Sequence, residues 1–161
     1  MMLKLVVFGM AYVISQGLMA HTHEIYPPLC VPFVVRTPTL VLQNKEPSLV
    51  MIHNLSAHDV WMTHTPKTDE PSNTGWSRRL RSGRWSALAN AVNGFEINCV
   101  ESQPGHEQNI ACANALAVCV WSPITTPAPL KHTLWAGEDR SLSSLLAYIQ
   151  RQGFAWSKPS N

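Results

Sequence analysis

Charge is scarce in this sequence. Asp, Glu, Lys and Arg make up only 14% of its 161 residues, and the formal net charge is +2. That excess is too small for nucleic-acid binding resting on bulk charge. No block of like charge and no heptad series is present, which excludes a long charged tail and a coiled coil. Glycine is thin as well: 8 dispersed residues form no phosphate cradle and no dinucleotide fingerprint. The spacings C-x-x-C, H-E-x-x-H and G-x-S-x-G do not occur, so thioredoxin-like redox sites, zinc knuckles, zincins and nucleophile elbows lack their sequence signals. Internal repeats and low-complexity segments are absent too.

Long apolar runs are limited to the amino terminus. Lys4 precedes the stretch Leu5 to Ile14, Ser15–Gln16–Gly17 breaks it, and Leu18–Met19–Ala20 supplies a small residue for cleavage. The run is short for a bilayer span and reads as a signal peptide over residues 1–20. Residues 21–161 are then expected to form one exported domain, periplasmic or secreted, with no transmembrane segment. Cys30 lies ten residues past the cleavage point, too far to mark a lipoprotein.

Export gives meaning to the four cysteines, Cys30, Cys99, Cys112 and Cys119. An even number in an oxidising compartment points to two disulfides, for which three pairings exist. Phe95 to Glu101 alternates apolar and polar residues as a half-buried strand does, and the Pro104–Gly105 step supplies turn chemistry. A hairpin centred between Gly105 and His106 sets Cys99 opposite Cys112, close enough for a bridge. Cys30 is left for Cys119.

Elsewhere, short apolar runs recur between turn residues in the manner of an all-β sandwich or barrel. Candidate strands include Phe33–Val35, Leu40–Leu42, Leu49–His53, Asp59–His64, Trp76–Leu80, Trp85–Ala91 and Leu116–Trp121, with a long polar loop between Thr65 and Gly75. Leu142, Leu145, Leu146 and Ile149 follow helical spacing and predict one amphipathic helix near 140–152. Asp139 or Ser141 is placed to cap it, Arg151 lies in its last turn, and Gly153 can end it. The expected fold is an antiparallel β-sandwich with one C-terminal helix, stabilised by disulfides.

Few residues suggest chemistry. Cleavage after Ala20 would expose His21–Thr22–His23, whose α-amine, following amides and third-position imidazole form a square-planar nitrogen set suited to Cu(II). His53, His58, His64, His106 and His132 lack metal-ligand spacing. Ser56, Ser86, His58 and Asp59 are available for a nucleophilic arrangement without any motif joining them. Glu96 and Glu101 are odd-spaced on one strand and so point to opposite faces. The densest mixture of cations and aromatics is Trp76, Arg78, Arg79, Arg81, Arg84 and Trp85. It suits a partner surface anchored by Trp76, Arg79, Arg81 and Trp85, or else a strand that alternates buried Trp with a solvated Arg edge.

The segments Gly75–Trp76, Gly83–Arg84–Trp85–Ser86–Ala87–Leu88, Phe95 to Glu101, Ile110–Ala111–Cys112 and Val118–Cys119 resemble the small exported "enhanced entry" proteins of Legionella-type bacteria, in particular the EnhB-like group. The resemblance covers about the middle third of the chain. It implies a periplasmic or envelope protein linked to host-cell entry or a secretion assembly, with no catalytic residues to carry over. The expectation is a non-enzymatic component without a cofactor, partnered by envelope or secretion-apparatus proteins. The alternative is a copper-binding protein that uses His21 and His23.

Overall fold

The computed structural model describes residues 26–43, 46–66, 75–91 and 94–156. The signal-peptide reading and the copper reading of His21 and His23 lie outside the described residues. Strands β1 (Val31–Phe33), β2 (Leu40–Leu42), β3 (Ser48–Asn54) and β4 (Asp59–His64) come first. They are followed by β5 (Trp76–Leu80), β6 (Trp85–Asn90), β7 (Phe95–Gln103) and β8 (His106–Ile110). Then come β9 (Leu116–Trp121), β10 (Ile124–Thr125), β11 (Leu134–Arg140), helix α1 (Leu142–Arg151) and β12 (Ala155–Trp156).

The strands form two antiparallel sheets and a small β10–β12 ribbon. One sheet runs β1-β9-β3-β6-β11; the other runs β2-β7-β4-β5, with β8 also paired to β7. Apolar side chains from both, among them Val50, Ile52, Leu88 and Val118 against Leu40, Val60, Met62 and Ile97, fill the space between them. The first sheet is covered again on its other side. There Leu49, Met51, Ala87, Ala89 and Trp121 meet Leu145 and Ile149 of α1 and Phe154 beyond it. The molecule is therefore a sheet pair plus a helical cover: an all-β fold with one C-terminal helix, as the spacing of apolar residues predicts.

The helix lies where its leucine stripe places it. Leu145 and Ile149 are fully buried, and Leu142 and Leu146 pack at the margin. Its approach to β11 is close: a Cβ on Gly137 would stand 2.4 Å from Leu145 Cδ1, so any larger residue there would force that buried side chain to shift. Ser141 is the N-cap by backbone geometry and its side chain makes no capping bond. Asp139, the other expected cap, belongs to β11 and uses its carboxylate on Arg81. Gly153 closes the helix in the left-handed region (φ 88), with Phe154 N–H donating to the Ile149 carbonyl.

Both disulfides form in the expected pairs. Cys30–Cys119 has a Cα separation of 5.4 Å and Cys99–Cys112 one of 5.3 Å. The hairpin register differs by two residues from the expectation. Gln103 pairs with His106 around Pro104–Gly105, and Cys99 faces Ile110. Gly105, at φ 84, occupies the left-handed corner and tightens the turn. Cys112 sits just past β8, at the start of a single 3-10 turn (Cys112–Asn114) that carries its side chain back toward Cys99. Two other expectations shift: the first strand is Val31–Phe33 rather than Phe33–Val35, and β11 is an additional strand.

Candidate functional site

The Trp–Arg run spans a crossing between sheets. Strand β5 is the edge of the second sheet, whereas β6 lies inside the first. Residues 81–84 carry the chain across. Fully buried Asn54 holds that corner: its Nδ2 donates to the carbonyls of His58 (2.8 Å) and Leu80 (2.9 Å), and its Oδ1 accepts from Ser56 N–H. The crossing separates the two tryptophans. Trp76 faces the space between the sheets, while Trp85 is 4% exposed in the core beneath α1, stacked under His53 at 4.3 Å.

The arginines close a seam. Strands β5 and β11 are the edges of the two sheets on one side of the molecule. Across that gap Trp76 meets Trp135 edge to face at 5.0 Å. Arg78 Nε lies 3.3 Å from Glu138, and Arg81 binds Asp139 through Nε (2.6 Å) and its backbone N–H (3.1 Å). Arg79 pairs with Asp59 on the adjacent strand, and the same carboxylate accepts the Ser82 N–H. Desolvation pushes the Asp59 carboxyl upward, but the Arg79 and Ser82 hydrogen bonds and the charges of Arg79 and Arg81 outweigh it, so its pKa lies below the usual carboxylate range. These pairs are solvent-screened and individually weak. Together they place Trp76, Arg79 and Arg81 along one edge, with half-exposed guanidinium groups, and leave Trp85 elsewhere.

The other candidates are occupied locally. The Ser56 hydroxyl donates to Glu101 Oε1 (2.5 Å), and His58 donates only its backbone N–H to Ser56. The Ser56 and Gln103 hydrogen bonds draw the Glu101 pKa down. The Ser86 hydroxyl accepts the Asp139 N–H. His64 is buried against Phe95, its Nδ1 2.7 Å from the Glu96 carbonyl, which makes Nδ1 the protonated nitrogen. Burial lowers the His53 pKa, with partial compensation from a hydrogen bond to the Gly83 backbone. Among the described residues, no three His, Cys, Asp or Glu side chains come together as a metal site.

Two further surfaces stand out. Leu29, at φ 66, and Val31 and Val34 are exposed apolar residues beside edge strand β1, where Pro32 removes a backbone donor. The outer face of the second sheet carries Trp61 at an outward position of β4. The reading from sequence missed Trp61 and the acidic half of the seam. Their signals were the alternation of Asp59 to His64 and the proximity of Trp135 to Glu138 and Asp139, complementing the Trp and Arg residues of β5. Comparison with protein-family models, curated proteins and solved structures finds no match to this chain.

Proposed function

We propose that this protein is a non-enzymatic, exported component of the cell envelope that acts by binding, in association with host-cell entry or a secretion apparatus. The observation that carries this reading is the use of every cysteine: one buried disulfide in each of the two cores, with no free thiol. Such bridges form and persist in oxidising compartments. The apolar run at residues 5–14, which reads as a signal peptide, and the resemblance to the enhanced entry proteins support the same reading.

The half-exposed guanidinium groups of Arg79 and Arg81 are the anchors proposed for a protein partner. Arg79→Gln with Arg81→Gln removes the cations without setting like charges beside Asp59 and Asp139. Expressed in the native host, this variant should keep its fold and lose co-purification with envelope proteins. Fractionation and amino-terminal sequencing of the mature protein test export directly; recovery of an uncleaved, reduced protein from the cytoplasm would overturn it. Cu(II) titration of the mature protein separates this reading from the copper alternative, which places function at His21 and His23.

A further inference from the structure

Residues 126–132 connect β10 to β11 and curl against the exit of α1. Both ends of this segment are fixed. Before it, β10 pairs with β12, Thr125 opposite Ala155. After it, the Thr133 hydroxyl donates to Asn90 Oδ1 (2.7 Å). Between them, Pro127 approaches Gly153 so closely that a Cβ on the glycine would stand 3.0 Å from Pro127 Cβ. The curl and the helix exit enclose a cavity of about 250 Å³, lined by Pro127, Ala128, Pro129, Leu130, Leu134 and Phe154. Phe154 is buried, whereas Leu134 is 44% exposed and keeps an apolar side chain at the mouth.

This wall offers little to a polar ligand. The two prolines have no N–H to donate, and the Thr126 hydroxyl at the cavity is spent on the Ala128 carbonyl (2.7 Å). Charge enters through Lys131 and His132 alone. Among the described residues no acidic group lines the cavity, and neither Lys131 nor His132 belongs to an ion pair. Ligand pockets commonly combine apolar walls with a few placed polar groups; here those groups are cationic. A sugar or nucleotide would lose its hydrogen bonds to water against proline, leucine and phenylalanine without replacing them. A cationic ligand would meet Lys131. Charge and lining together select an amphiphile with a hydrocarbon body and a single anionic head. Size sets the length: at about 30 Å³ for a water-sized group, a cavity of about 250 Å³ holds about eight chain carbons.

We propose that this cavity binds a free medium-chain carboxylate, a fatty acid of about eight carbons. Its alkyl chain lies against Pro127, Leu130, Leu134 and Phe154, and its carboxylate pairs with Lys131 beside His132. The site uses none of the seam arginines. It rests neither on the partner-binding role proposed above nor on the compartment, so it stands or falls by its own test.

That test titrates the oxidised full-length protein with octanoate below micelle-forming concentrations, read by calorimetry and by the methyl resonances of Leu130 and Leu134. Butanoate and octylammonium are the comparisons. The expected result is saturable binding of octanoate with shifts of both leucines. Each methylene moved from water to an apolar wall is worth up to about fourfold in affinity, so butanoate should bind at least about tenfold more weakly. Ala128→Trp, which fills the cavity from an exposed loop position, should abolish binding. Lys131→Glu, an exposed change, should weaken it by about fivefold or more and decides the matter should Ala128→Trp fold poorly. Absence of saturable binding overturns the proposal. Equal affinity for octylammonium overturns the anionic head, and binding unchanged in both variants overturns the location.

Discussion

The two sheets are both antiparallel, yet their sequences follow different rules. In the covered sheet, β3, β6 and β9 are buried along nearly their whole length, and Leu49 to Ile52 and Leu116 to Trp121 read as unbroken apolar runs. In the second sheet, open on its outer face as far as the described residues go, β4 alternates strictly, with Val60, Met62 and His64 inward and Asp59, Trp61 and Thr63 outward. Continuous burial is usually associated with parallel sheets sandwiched by helices. A single ten-residue helix with the flanking chain segments suffices to create it here. Strand sequence thus reports how many faces are covered more directly than it reports strand direction.

The largest expected effect distinguishes the two disulfides. Cys30–Cys119 closes a span of 89 residues and belongs to the core under the helix; Cys99–Cys112 closes only 13, within the open sheet and its turn. Replacing both cysteines by Ala should cost about 4–5 kcal/mol for the first pair and about 3 kcal/mol for the second, if constraint of the unfolded chain sets the scale. Denaturant unfolding of both double variants measures the order, and equal losses would remove loop length as its cause.

The helical cover comes next. Leu145→Ala should destabilise the fold by about 2–5 kcal/mol, whereas Val100→Ala on the open face should cost less than about 1 kcal/mol. Gly137→Ala, which drives a Cβ into Leu145, should cost about 1–3 kcal/mol. Thermal melts of the three variants show whether the covered sheet depends on the helix.

A smaller effect is pH dependence in the covered sheet. Burial lowers the His53 pKa below its ordinary value, so the unfolded chain takes up the proton more readily. Stability should then be full above about pH 6.5 and decline as the pH falls below it. His53→Phe, which keeps a ring over Trp85, should flatten the stability profile between about pH 7.5 and 5. An unchanged profile would show that His53 is not the group responsible.

The smallest effect is expected at the seam. Arg78→Gln and Arg81→Gln each remove one half-exposed ion pair and should change stability by no more than about 1 kcal/mol. High salt should shrink even that difference.

Legibility from sequence follows the same contrast. Alternation located β4 at its observed limits, leucine spacing located α1, and turn chemistry with cysteine separation led to both disulfide pairs. Strand β11 escaped because Gly137, Glu138, Asp139 and Arg140 interrupt its apolar pattern and its pairing with β6 shifts register twice. From sequence the cation–aromatic run reads either as one partner surface or as a strand with a solvated Arg edge, because its residues are neighbours in the chain. A crossing between sheets is invisible to local periodicity, since each half keeps a normal strand pattern while the partner sheet changes. For the same reason the seam stayed hidden: its acidic side lies some sixty residues away.

Trp121 gives the molecule a polarity. Its indole N–H donates to the Pro28 carbonyl (3.2 Å), and its ring stacks on Trp156 at 4.1 Å, so both ends of the described chain meet at one side chain. That side chain lies on the covered side, away from Trp61. The described chain therefore enters and leaves the fold on the covered side, so a label fixed at Tyr26 or Trp156 would stand there and leave Trp61 untouched.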